Sequence, residues 1–275
     1  MTKSKHKHSL LLTALFTTFW VVFAILFALN QSNKKSSDLP KIIQRGVIKV
    51  CGEEDLFSFY TDKQGSHGFH YELAKAFADK YNLELKYISE INFNKRLDLL
   101  KSGKCDILSG PLPIVGELRS SVAYTQPILE SYEVLVQRKK DHNNGKNPIR
   151  DQLLLKEKRI AFTEHSPNIF RIHNLAVEVS DSIFIREYPG YRTEDLIEAV
   201  ANGIVDFAVC DKFVAKAYLK KYPGIDIQTK VGFTQFQAWA VRPEKNSLLD
   251  SLNLFVSEYK KSPAFTRLLE KYSNN

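Results

Sequence analysis

Two distant stretches of the chain carry one pattern: Leu100-x-x-Gly103-x-x-Asp106-Ile107 and Val200-x-x-Gly203-x-x-Asp206-Phe207. In each, an apolar residue closes a helix-periodic segment, a Gly supplies the left-handed conformation that stops a helix, and an acid opens an apolar strand. A helix–Gly–strand joint that occurs twice predicts two similar α/β lobes. Ligands of open α/β sheets sit at the carboxyl ends of the strands. The repeat therefore points to Ser109-Gly110 in one lobe and to Cys210-Asp211 in the other.

The rest of the chain fits that scheme. Strand-like runs at 47–51, 83–88, 105–109, 132–138, 159–163, 184–188 and 206–210 alternate with helical periodicity at 71–81, 93–101, 193–201 and 212–221. A further helix is expected to open near Ser166, with Pro167 at its first position. Thr193 is read as the cap of the helix that follows it. The polar stretch 141–147 breaks the pattern and suggests a change of lobe. Alternating strands and helices imply mainly parallel sheets.

Ahead of these lobes, Lys3, Lys5 and Lys7 precede an apolar run from Leu10 to Leu29 that holds Trp20 and four Phe. Twenty helical residues span about 30 Å, the thickness of a bilayer core. The run ends Ala28-Leu29-Asn30-Gln31, a poor cleavage site, so an uncleaved transmembrane anchor is favoured over a cleaved signal. The short basic tail is placed in the cytoplasm and the lobes outside. Residues 31–37 read as a polar linker. These 37 residues carry five of the eight net positive charges, so the basicity is mostly a targeting signal. No nucleic-acid footprint is expected. Cys51, Cys105 and Cys210 are odd in number and lack CxxC spacing, which argues against a disulfide framework or a zinc site; no cofactor is expected.

Several motifs, in order, resemble the family 3 periplasmic solute-binding proteins. Gly46-Val47-Ile48-Lys49-Val50 resembles the opening strand, and Gly68-Phe69-His70-Tyr71-Glu72-Leu73-Ala74 the helix after it. Leu100 to Leu108, Val122 to Pro127, and Gly203-Ile204-Val205-Asp206 through Asp211 resemble later segments. The wording from Phe69 to Lys75 is nearest to the binding region of the membrane-bound lytic murein transglycosylases. The resemblance covers roughly residues 45 to 272. It implies an α/β, bilobal fold of the periplasmic-binding-protein type II class, with two lobes joined by two hinge strands, here preceded by the transmembrane helix. Lobe one is expected over 38–136 plus 237–275 and lobe two over 137–236. The crossings are expected near 134–138 and 236–241, and residues 248–272 return to lobe one as helices. The transglycosylases also carry a lysozyme-like domain with a catalytic Glu. The sequence stops at Asn275, so muramidase activity is not expected.

The resemblance also implies site residues. Amino-acid binders of this family hold the ligand carboxylate with an Arg in a T-x-x-R motif. Here that position is Leu118 and the Thr position is Val115; the neighbouring Arg119 is the candidate in its place, or else a surface residue. Asp211 matches the residue that meets the ligand ammonium, or else it caps the helix from Lys212. Phe57, with Phe59, falls in the segment that supplies aromatic cleft walls, or else belongs to the core. Asp55, Ser109, Gly110 and Ser166 complete the candidate set. Glu53, Glu54 and Glu164 are further acids near the cleft, but no acid/base pair stands out. The expected function is binding of a small polar ligand, such as an amino acid, short peptide or cell-wall fragment. A transporter or another envelope protein is the candidate partner, and the inner membrane with a periplasmic domain is the expected location. A dehydratase-like enzyme on the same fold, or a receptor with a degraded cleft that works through protein contacts, remain the alternatives.

Overall fold

The computed structural model describes residues 39–178, 183–244 and 247–273. The apolar run and linker at 1–38 lie outside these. Among the described residues no helix is long and apolar enough to cross a membrane.

The chain forms two five-stranded sheets and one small hairpin. The first sheet contains β1 (Val47–Gly52), β4 (Glu84–Ser89), β5 (Ile107–Leu108), β6 (Ala123–Tyr124) and β12 (Ala240–Val241), in the order β4-β1-β5-β12-β6. The hairpin is β2 (Tyr60–Asp62) with β3 (Gly65–His67). The second sheet contains β7 (Leu129–Arg138), β8 (Arg159–Thr163), β9 (Phe184–Tyr188), β10 (Phe207–Asp211) and β11 (Ile225–Gln237), in the order β11-β7-β10-β8-β9. Strands β1, β4 and β5 run parallel, as do β8, β9 and β10. Each sheet is thus the core of one lobe.

Helices form where apolar residues recur at helical spacing. Phe69–Lys80 buries Phe69, His70, Leu73, Ala74, Phe77 and Ala78 along one stripe. Phe93–Lys101 buries Phe93, Leu97 and Leu100 and starts on Asn92, whose side chain accepts from the Lys95 N–H. Both predicted joints are present. Gly103 and Gly203 each have φ of 73°, the left-handed geometry that ends the helix before them.

Two antiparallel segments join the lobes. Leu129, Glu130 and Ser131 of β7 pair with Gln237, Phe236 and Gln235 of β11. Ile128 N–H donates to Gln237 O and Thr125 N–H to Trp239 O, which carries the pairing back to the first sheet. The pairing of β7 with β11 begins at Leu129 and continues to Arg138. Trp239 lies fully buried at the far end of the second crossing, and its Nε1–H donates to Nδ1 of His70 at 3.0 Å. The C-terminal helices Ser247–Tyr259 and Pro263–Ser273 return to lobe one. There Phe265 meets Phe69 edge-on and Gly68 N–H donates to the Tyr272 hydroxyl.

Three local expectations change. The helix expected from Ser166 begins at Ile169. Residues 164–168 instead form turns, with Ser166 N–H on Thr163 O and Ile169 N–H on Ser166 O. The helix after Asp211 ends at Ala217 rather than near residue 221. Thr193 is the first residue of its helix, not the cap. Arg192 holds the cap position, and the Asp195 carboxylate reaches back to its N–H at 2.8 Å.

Candidate functional site

A cleft lies between the carboxyl ends of the two sets of parallel strands. Glu53 and Asp55 follow β1, Ser109 and Gly110 follow β5, Thr163 ends β8 with Ser166 after it, and Asp211 ends β10. Phe93 and Arg96 line it from helix Phe93–Lys101, and Thr193 and Leu196 from helix Thr193–Ala201. The enclosed space is about 60 Å³. That holds a few water molecules, far below the roughly 300 Å³ at which drug-sized ligand pockets begin. The lobes therefore stand close together here.

Of the seven residues singled out from the sequence, five meet at this cleft: Asp55, Ser109, Gly110, Ser166 and Asp211. Phe57 does not line it. Its ring is fully buried between Phe69 and Phe213, stacked on both at centroid distances of 5.2 and 5.1 Å. The alternative reading of Phe57 as core is the one that the packing supports. Arg119 is exposed after the short turn Gly116–Leu118 and lies off the cleft, while Leu118 takes the inward position. Leu118 packs with Phe93, Leu97, Leu112 and Val122.

Asp211 is buried and doubly held. Oδ1 accepts from Phe213 N–H at 2.8 Å and Oδ2 from Gln237 Nε2 at 2.6 Å. It therefore caps its helix and also lines the cleft. Burial raises its pKa above the usual carboxylate range. Glu133, opposite it on β7, is raised well above that range by burial and by the Asp211 charge. Asn168 Nδ2 donates to Glu133 at 3.1 Å. Asp55 accepts from the Phe57 and Ser58 N–H groups at 2.8 and 2.7 Å. Burial first, and the neighbouring Glu53 second, push its pKa up to about 7.

Arg96 is a cleft residue that sequence reasoning missed. Its side chain is 11% exposed, its guanidinium sits 5.3 Å from the centroid of Phe93, and its buried Nε has no hydrogen-bond partner. Nη2 lies 3.7 Å from Glu53. A signal was there. Phe93, Leu97 and Leu100 define a buried helical stripe, and Arg96 falls at its edge, three residues after Phe93. A cation on such a stripe needs a reason.

The profile of bacterial extracellular solute-binding proteins, family 3, matches residues 47–275. The chain belongs to this family. Among curated relatives of this solute-binding chain is a membrane-bound lytic murein transglycosylase F from Desulfosudis oleivorans, 29% identical over 256 residues, covering 92% of the chain and 54% of the relative. The chain thus spans about half the length of the curated relatives it matches. Among solved structures, an ancestral arginine-binding protein bound to arginine is 25% identical with a TM-score of 0.71, covering 83% of the chain and 98% of that protein. The solute receptor for L-cysteine of Neisseria gonorrhoeae has a TM-score of 0.74 at 19% identity, over 86% of the chain and 93% of the receptor, and shows the fold alone. The family carries the bilobal α/β solute-binding fold described above.

Proposed function

We propose that this solute-binding protein takes a small zwitterion of the amino-acid class in its interlobe cleft. One observation carries the reading: the cleft is lined by the Arg96 guanidinium together with two buried carboxylates, Asp55 on the same lobe and Asp211 on the other. A guanidinium suits a ligand carboxylate through two parallel hydrogen bonds. Buried acids whose pKa is raised regain their charge when a cation arrives, so they suit an ammonium or guanidinium group. Arg96 would then do from helix Phe93–Lys101 what the Arg of the T-x-x-R motif does in other members, where this chain has Leu118. The solved arginine-bound relative fits this chemistry. The transglycosylase relatives extend the set of ligands worth screening to murein-derived peptides.

The protein acts as a receptor rather than an enzyme in this reading. It is tethered by the apolar run at 10–29, with lobes facing the periplasm, and passes its signal or solute to a membrane partner. Lobe one would run from 39 to about 127 and from 238 to 273, and lobe two would lie between, following the sheets.

A thermal-shift screen with amino acids and muropeptides tests the reading, since a ligand at a hundred times its Kd stabilises the native state by about 2.7 kcal/mol. Calorimetry then compares Asp211→Asn and Arg96→Gln. Each is expected to weaken the hit by about tenfold to a hundredfold, the range of one charge-assisted hydrogen bond. Unchanged affinity in both variants sinks the zwitterion reading.

A further inference from the structure

Glu53 belongs to lobe one, yet lobe two holds it. Its Oε1 accepts from the Thr193 N–H at 3.0 Å and from the Thr193 hydroxyl at 2.7 Å. Its Oε2 stands 3.7 Å from Arg96 Nη2. The carboxylate therefore bridges a lobe-one cation and the first turn of a lobe-two helix. The local sequence explains the need. Arg192 brings no acceptor of its own to this helix start, and Asp195 is turned back on the Arg192 N–H. The first N–H groups of a helix require an acceptor and favour a negative one. Glu53 supplies it across the cleft.

Other contacts between the lobes are different in kind. Asn92 Nδ2 donates to Glu164, a single bond to a carboxylate that is 32% exposed. Phe57 stacks on Phe213, and Leu56 N–H donates to the Tyr218 hydroxyl; neither carries a charge. Glu53 is 14% exposed and makes two charge-assisted hydrogen bonds as well as an ion pair. Such interactions strengthen as water is excluded. They are also the ones that a ligand carboxylate can take over.

We infer that Glu53 is an interlobe latch that competes with the ligand carboxylate for Arg96. The inference rests on the proposed role of Arg96 as the carboxylate partner. Without a ligand, Glu53 draws the lobes together over a space of about 60 Å³. A ligand enters when the latch lets go of Arg96, and its own carboxylate then takes that place. The stack of Phe57 on Phe213 stays, so release shifts a population of conformations and does not part the lobes completely.

Two measurements on the full-length chain in detergent test this. Spin labels at the exposed positions Lys95 and Lys220 report the distance between lobes, since the three native cysteines are buried. In the ligand-free protein a narrow distribution is expected, and Glu53→Ala should add a longer-distance population. Identical distributions overturn the latch, whatever binds. Calorimetry with L-arginine and its decarboxylated counterpart agmatine tests the competition. Glu53→Gln should raise the affinity for L-arginine about tenfold relative to agmatine, which lacks the carboxylate that competes with Glu53 and so gains only from the easier opening. Equal or weaker binding of L-arginine by Glu53→Gln overturns the competition. If neither probe binds any form while Glu53→Ala opens the lobes, the latch stands and the amino-acid reading of the cleft fails.

Discussion

The joint at 100–106 in lobe one and the joint at 200–206 in lobe two share more than their sequence pattern. In each, an Arg from a neighbouring strand end clamps the turn. Arg242 Nη1 donates to Leu100 O at 2.5 Å and to Cys105 O at 2.9 Å. Arg138 Nη1 donates to Val200 O at 3.0 Å and to Val205 O at 2.9 Å. Both guanidiniums lie over the left-handed Gly, where a Cβ would stand 3.8 Å from either Nη1. The acids that close the joints differ. Asp106 is 1% exposed, takes the Lys49 N–H at 2.9 Å, and sits between Arg45 at 2.5 Å and Arg242 at 3.9 Å. Asp206 is 72% exposed and pairs with Arg138 at 2.6 Å. One local rule thus builds two joints, and the elements that cover them decide what each is worth. Helix Leu39–Arg45 brings Arg45 to the first joint. The Asp206 carboxylate of the second joint is left facing water.

The largest effect should come from Arg242→Ala. It leaves two backbone carbonyls without their donor and Asp106 with less compensation for its buried charge. Breaking a buried pair costs about 3–5 kcal/mol, read as a shift of the urea midpoint. Arg138→Ala removes the equivalent bonds in lobe two, but its acid is already solvated. Its cost should be about 1.5–3 kcal/mol, that of hydrogen bonds to a charged donor. Equal losses in the two variants would break the comparison, because burial of the acid would then not matter.

A third test sharpens the role of burial through pH. His70 is buried in lobe one, accepts from Trp239, and burial holds its pKa down at about 3. The folded protein keeps it neutral while the unfolded chain takes up a proton near pH 6.5. Stability is therefore lost as pH falls from 6.5 towards 3, reaching about 2 kcal/mol at pH 5. Asp55 works the other way: with its folded pKa raised to about 7, stability is gained as pH falls through 7 towards the unfolded value. His70→Asn keeps an acceptor for Trp239 and cannot titrate. The difference between wild type and His70→Asn cancels the Asp55 contribution. It should be flat above pH 7 and grow in favour of the variant below 6.5. A difference independent of pH would mean that His70 takes up its proton as readily in the fold as in the unfolded chain.

Asp206→Ala should do least, within about 1 kcal/mol, because exposed ion pairs contribute little and salt screens them. A loss as large as that of Arg138→Ala would show that the exposed acid, and not the clamp, secures the second joint.

Helix Phe93–Lys101, the left-handed Gly103 and Gly203, and the strands that meet at Ser109 and Asp211 were all legible in the residues. Side-chain direction in helices and strands repeats with periods of 3.6 and 2, and a stop needs one Gly at one place, so these are decided within a few residues. The turn at 166–168 reads as the start of a helix because Pro167 fits a first helical position as well as it fits a turn. Only the folded chain decided the rest. The carboxylate of Glu53 finds Thr193, Arg242 finds Leu100, Arg138 finds Val200, and Phe57 finds Phe213. Every one of these partners lies more than sixty positions away along the chain. A buried charge or an unpaired helix start states that compensation must exist, since leaving it unmade is costly. It does not state which distant residue will bring it; that depends on how the two sheets and their crossings place side chains in space.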